Sequence, residues 1–452
     1  MRFRATLSIF GAALFTCVLA QSGWAATVAV GTCTNLAFYP TIQQAVNSVP
    51  VNSTIKVCPG TYAEQVVINK SMTLTGVSST GVSGPNASGP DNPVIVSPAA
   101  GVVANANDLF DGSPIAGQIV VVTPPGALTQ TKVTLNYIAV DGSNNQLASC
   151  GTDLVGIYYQ NASGTISQMV TRYQELSQSL FGCQQGLAIY VESGYGTGGT
   201  AVVTIQNNSV HDYDKNGITA DGSGTVATIS GNYVVGIGST PLIAQNGIQV
   251  SDGATGSVKN NTVTDDVYVN PPNCSPNCYG SSGILIFDSG ATASSHLVIS
   301  GNTVSNTQLA VVTYGDSAGT ADYNDVSTNK ITGTLASCVY LDDGIDLCSN
   351  NNTATSNTVY NSSGAGVHID SQCTESTGPS GNNTTVTKNT INEACAAVML
   401  GNGSGNSTGI GATLNIPYNV VQVLQPGDSC PAGAPTAAKA AKVRLRAQPR
   451  HL

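Results

Sequence analysis

The chain has 452 residues, a formal net charge of −10 and only 9% charged residues, with 50 Gly, one Trp and seven Phe. That composition suits many short strands and turns and leaves little material for packed helices. Between residues 26 and 438, eight basic residues face all 25 acidic ones, which excludes nucleic acid as a partner and repels anionic polymers unless a cation bridges them.

Residues 1–25 carry Arg2 and Arg4, an apolar run from Ala5 to Ala20, and small residues near Ala20 and Ala25. They read as a secretory signal peptide, so a secreted or periplasmic location is expected. No other stretch is long and apolar enough to span a bilayer, and no membrane insertion is expected. Secretion turns the 12 cysteines into expected disulfide partners, with Cys17 leaving in the signal. Cys33–Cys58, Cys150–Cys183 and Cys274–Cys278 are the expected pairs. The pairing of Cys338, Cys348, Cys373 and Cys395 is not readable from sequence.

Residues 26–65 read as an N-terminal cap. Thr41-Ile42-Gln43-Gln44-Ala45-Val46-Asn47-Ser48-Val49 predicts a short amphipathic helix with Thr41 as N-cap, placed to cover an open apolar end. Ser53 to Val57, Val66 to Ile68 and Met72 to Gly76 predict short strands.

Residues 66–421 are governed by a repeat. Its clearest copy is Ile299-Ser300-Gly301-Asn302-Thr303-Val304, and the asparagine returns as Asn208, Asn232, Asn261, Asn329, Asn357, Asn389 and Asn419, with Asn136 and a substituted Gln168 upstream. Copies lie 24 to 41 residues apart, the mark of a solenoid with variable insertions. A second phrase follows each asparagine, as in Gly217-Ile218-Thr219-Ala220, Gly247-Ile248-Gln249-Val250, Gly283-Ile284-Leu285-Ile286, Cys338-Val339-Tyr340-Leu341 and Gly366-Val367-His368-Ile369. Its period of two makes it a strand with alternate residues inward. Stacked at about 4.8 Å, such coils let buried asparagine amides hydrogen-bond along the axis. The expected fold is all-β: a single right-handed parallel β-helix with an N-terminal helical cap.

Residues 422–452 shift to Pro and Ala and then to Lys439, Lys442, Arg444, Arg446 and Arg450, and read as a disordered basic tail.

The phrase Thr-Ile-Gln-x-Ala at Thr41, the turn Pro59-Gly60-Thr61-Tyr62-Ala63-Glu64 and the short strands ending in Gly76 resemble the opening of pectin-lyase-like β-helix proteins, of the carbohydrate-binding protein and sugar hydrolase repeat type. In those families the asparagine ladder marks the second turn, and the variable third turn walls a groove over the first sheet. The resemblance thus implies a groove whose floor is the free position of each phrase: Tyr158, Ala188, Thr219, Gln249, Leu285, Val312, Tyr340, His368 and Met399. Tyr158, Gln249 and Arg172 are the candidate substrate contacts.

Just past these strands runs an acidic row, Asp221, Asp252, Asp288, Asp316, Asp342 with Asp343, and Asp370. Asp-Gly and Asp-Ser turns are a sufficient reason for the first three. Tyr340, Asp342, Asp343, His368 and Asp370 come from two adjacent coils and are the candidate catalytic cluster, since two carboxylates on neighbouring rungs can divide into acid and base as glycoside hydrolysis requires. This loosely resembles the Asp-Asp and histidine cluster of polygalacturonase-type glycosidases, although their Arg-x-Lys and Asn-Thr-Asp phrases are absent. A polysaccharide lyase would need a cationic base, for which Lys215 or Arg172 would serve, and a cation such as Ca²⁺ with Asp288 and Asp316 as candidate ligands; a hydrolase would need no cofactor. The expectation is a monomeric, carbohydrate-active protein with a polysaccharide or glycan partner. The alternative is a non-catalytic glycan-binding or adhesion rod.

Overall fold

The computed structural model describes residues 24–77, 93–196, 199–269, 278–289, 294–315, 321–333, 343–370, 381–400, 407–409, 421–424 and 445–447. They form a right-handed parallel β-helix. A coil such as that from residue 225 to 251 shows the plan. Thr225–Ser230 joins a 14-stranded sheet, while Tyr233–Thr240 and Asn246–Ser251 join two successive rows of a 22-stranded one. Apart from Ala106–Asn107, which runs antiparallel to Pro114–Val122, the described pairings are parallel.

Each face buries one aliphatic row. On the 14-stranded sheet Leu135, Ile166, Ile205, Ile229, Val258, Ile299, Val326, Ala354 and Val386 lie in register. On the strands carrying the second phrase, Ile157, Ile189, Ile218, Ile248, Ile284, Val311, Ile345, Val367 and Val398 do the same. These rows belong to one continuous apolar core. Because each side chain rests on its counterparts one rung away, the core is a stack of layers with local contacts.

The corner after the 14-stranded sheet explains the asparagines. Tyr137, Gln168, Asn207, Gly231, Asn260, Gly301, Thr328, Ser356 and Lys388 occupy one stacked position with φ between +50° and +67°, turning the chain sharply in the left-handed region. The next residue points inward, and from Asn208 to Asn389 it is a buried asparagine. From Asn208 to Asn357 each Nδ2 donates to the Oδ1 of the asparagine one rung on, as in Asn232 to Asn261 (2.9 Å) and Asn261 to Asn302 (3.0 Å), and also to a carbonyl of the preceding rung. The backbone N–H of each ladder residue donates to the same oxygen, so the amides satisfy one another.

Two upstream assignments shift. The register from Asn136 through Ser167 to Gln206 puts Ile138 and Met169, not Asn136 and Gln168, in the ladder row. Gln168 stands one residue early, at the left-handed corner. A second buried corner, Leu297, Asn324, Asn352 and Thr384, lies before the 14-stranded sheet, where Leu297 and Asn324 each donate a backbone N–H to the next asparagine's Oδ1 at 3.0 and 2.8 Å.

At the N-terminal end the helix Ile42–Ser48 forms with Thr41 as N-cap, its Oγ1 accepting from Gln44 N. Glu64 closes the turn by accepting from Ile42 N and Gln43 N at 2.8 and 2.9 Å. Ile42, Ala45 and Val46 enter the core. Cys33–Cys58 and Cys150–Cys183 are bridged, and Cys348 is disulfide-bonded; Cys274 lies outside the described residues. Leu445–Ala447 pairs in parallel with Cys278–Gly280.

Candidate functional site

The outward row of the second-phrase strands decides what a ligand can reach. Its members are Tyr158, Tyr190, Thr219, Gln249, Leu285, Val312, Asp346, His368 and Met399. Two differ from the expected floor. Tyr190 replaces Ala188, whose side chain joins the core. Asp346 replaces Tyr340, because the strand is Ile345–Leu347 and the phrase is Gly344-Ile345-Asp346-Leu347, while Tyr340 and Asp342 lie outside the described residues. Gly344 lies 15 residues after Asn329 (344 − 329), against nine for Cys338 (338 − 329).

From Tyr158 to Val312 the row is buried. Segment 102–113 crosses over Tyr158 and Tyr190, whose rings stack at 5.3 Å, and the Tyr158 hydroxyl bonds Asn107 O and the Glu192 carboxylate. Glu192 also accepts from Tyr190 Oη (2.9 Å) and Leu109 N (2.8 Å). Burial first, then the charge of Asp108, push Glu192 well above the usual carboxylate range. Gln249 accepts from Asn216 Nδ2 and donates to Ser251 Oγ, both at 3.0 Å. Neither Tyr158 nor Gln249 presents an exposed atom, so this part of the floor expected to contact a substrate is buried within the chain.

The cationic candidates are also engaged. Lys215 is fully buried, its Nζ donating to Ala244 O at 2.6 Å, and burial pushes its ammonium well below the ordinary lysine value. Arg172 pairs through Nε with Asp141 Oδ2 at 2.9 Å. Asp288 is buried, with Oδ2 accepting from Ser294 N at 3.1 Å; Asp316 lies outside the described residues.

The C-terminal half of the row is where titratable groups converge. The register pairs Asp346 with His368 on adjacent rungs. Asp343 stands at the start of its strand, not beyond its end as the acidic row had implied, and accepts from Ala365 N (2.6 Å) through Oδ1 and from His368 Nδ1 (2.9 Å) through Oδ2. Ligand atoms of Asp343, Asp346 and His368 lie within 4.8 Å of one another, and Asp370 comes equally close to Asp346 from the other side. Asp346 is 6% exposed, whereas His368 and Asp370 are half-buried and form the solvent edge.

Asp346 is the residue that sequence reasoning missed. Its Gly-Ile-x-Leu phrase was legible, but an earlier phrase of similar spacing took its place. The contact its carboxylate makes, to Cys348 Sγ at 3.3 Å, supplies no proton because Cys348 is disulfide-bonded. Among the described residues no donor reaches it. Burial, opposed by His368 and reinforced by Asp370 and Asp343, pushes Asp346 well above the usual carboxylate range. Burial alone would lower His368, but the charges of Asp370 and Asp343 and the hydrogen bond to Asp343 lift it to about 10.

Residues 243–414 match the family described as right handed beta helix region. No curated protein matches. Among solved structures the chain is similar to Azotobacter vinelandii mannuronan C-5 epimerase A-module, at 12% identity over 86% of this chain and 93% of that one with a TM-score of 0.40. It is also similar to DFA-IIIase from Arthrobacter chlorophenolicus A6 in complex with DFA-III, at 11% identity over 90% and 99% with a TM-score of 0.46. A third similarity, to Geobacillus virus E2 ORF18, has 14% identity, a TM-score of 0.36, and covers 83% of this chain but 56% of the other.

Proposed function

We propose that this chain is a secreted carbohydrate-active enzyme that hydrolyses glycosidic bonds by acid–base catalysis at Asp343, Asp346, His368 and Asp370. One observation carries the reading. Two neighbouring carboxylates sit in different environments: Asp346 is enclosed with no described donor, which favours its neutral form, whereas Asp343 is held by hydrogen bonds from Ala365 N and His368 Nδ1. Asp346 is suited to protonate the leaving glycosidic oxygen as its bond to the anomeric carbon breaks. Asp370, at the solvent edge with its carboxylate within 4.8 Å of Asp346, is suited to add to that carbon as nucleophile, and water then displaces it with Asp346 taking the water's proton. His368, fixed by Asp343, balances the charge between them.

The lyase reading is weaker on this geometry, because Lys215 is enclosed and Arg172 is ion-paired. The buried row from Tyr158 to Val312 further confines a substrate to the C-terminal part of the helix.

The test is a panel of neutral and uronic polysaccharides incubated with the purified chain, with Ca²⁺ or with chelator, following reducing ends and ultraviolet absorbance. New reducing ends without absorbance are expected, and Asp346→Asn or His368→Gln should lower the rate by about 10²-fold or more with little change in Tm. Chelator-sensitive absorbance would instead establish a lyase. Binding without turnover on every glycan would establish a non-catalytic rod.

A further inference from the structure

We propose that Asp343, Asp346 and His368, with Asp370 beside them, form a binding site for one divalent transition-metal ion of the zinc class. The ligand atoms of the first three already lie within 4.8 Å of one another. Ligands of a single zinc stand about 2.0–2.2 Å from it and so no more than about 4 Å apart, a contraction that side-chain rotation can supply. The groups are carried by adjacent rungs of a rigid parallel sheet, with Asp346 directly beside His368.

The independent sign of a ligand is Asp346 itself. A carboxylate 6% exposed, facing two other ligating groups and reached by no donor among the described residues, lacks the partner that burial of a charge requires. A dication would supply it. The cluster brings three carboxylates to one imidazole, an excess of negative charge that in a buried setting must be met by protons or by a cation.

The donor set also selects the ion. One imidazole nitrogen with a few carboxylate oxygens suits zinc and its first-row neighbours, whereas Ca²⁺ takes six to eight oxygens. Cys348 does not contribute a thiolate, being disulfide-bonded. Metal and proton compete for Asp346, so binding releases protons and strengthens as pH rises. The site does not depend on the hydrolytic reading; where both hold, the metal-loaded form lacks the acid proton and is inhibited.

The experiment is calorimetric titration of the untagged, chelator-stripped full chain with ZnCl₂ at two pH values, in buffers of different ionisation enthalpy. One equivalent should bind with proton release, resist an equal concentration of Ca²⁺, and bind at least tenfold more weakly to Asp346→Asn and to His368→Gln. Absence of saturable binding, displacement by equimolar Ca²⁺, or affinity unchanged in both variants would overturn the proposal. Because either variant can fail to fold, electron paramagnetic resonance of the wild-type chain with one equivalent of Cu²⁺ gives a second decision. Coupling to a single nitrogen supports the site, and an oxygen-only or multi-nitrogen spectrum refutes it. Neither readout requires a substrate, so failure here is separate from failure on the polysaccharide panel.

Discussion

At the scale of single residues, the ladder asparagines are the clearest case of a side chain whose value lies in its neighbours. Asn261 accepts from both the backbone N–H and Nδ2 of Asn232, and donates to Ile229 O and Asn302 Oδ1. Asn261→Ala removes one acceptor and one donor and strips Asn232 N and Nδ2 of the oxygen they share, while Asn302 Oδ1 keeps the backbone N–H of residue 261; each buried group left without a partner costs about 1–3 kcal/mol. Urea unfolding should show a loss of about 3 kcal/mol; a loss under about 1 kcal/mol would mean that water replaces the amide. Asp346 is the opposite kind of residue, a buried polar group that its fold neighbours leave unserved, and its position marks the site more sharply than its charge does.

At the scale of the element, the left-handed corner sets the cost of each coil. Asn and Gly hold that conformation easily, and they occupy it at Asn207, Gly231, Asn260 and Gly301. Thr328 holds it at φ +56° with a β-branched side chain. Thr328→Asn should therefore stabilise the protein by about 0.5–1 kcal/mol, read as a raised urea midpoint with an unchanged m-value. Gly301→Ala should do the reverse by about 1–2 kcal/mol, since an added Cβ at φ +67° would lie 2.4 Å from Asn260 Oδ1. If both substitutions moved the midpoint in the same direction, corner strain would not be the controlling quantity.

At the scale of the whole molecule, the buried acids make stability depend on pH in one direction. Burial pushes Asp214 up to about 8, and moves Glu192 and Asp266 well above their ordinary range. An acid whose folded pKa is raised prefers to keep its proton in the native state. Its contribution is fully present below the unfolded value of about 4 and is lost as pH rises through the folded value. Denaturant midpoints should therefore fall between about pH 4 and pH 8. Asp214→Asn, which keeps an acceptor for Leu176 N, should flatten that fall. Midpoints that rose over this interval would show that these carboxylates are solvated in the native protein.

The sequence by itself determined the solenoid. A period-two phrase and an asparagine two residues before an aliphatic recur often enough that variable insertions do not hide them, because every coil must meet the same corner and the same inward row. It also determined the Cys33–Cys58 and Cys150–Cys183 pairs, and the convergence of Asp343, His368 and Asp370 from adjacent coils. Register was legible only where the repeat is strict. Gln168 stands one residue early because the left-handed corner directly precedes the ladder position and carries residues as different as Gln168, Asn207, Gly231 and Lys388, and the phrase at Gly344 is displaced by an earlier one of similar spacing. Only the tertiary structure decided burial. Whether Tyr158 and Gln249 face a ligand depends on segments distant in sequence, such as 102–113 crossing over the outer face. Whether Asp346 has a donor depends on which atoms of other coils reach it. Strand period is a local property of the chain, while accessibility and hydrogen-bond partnership are set by contacts between coils.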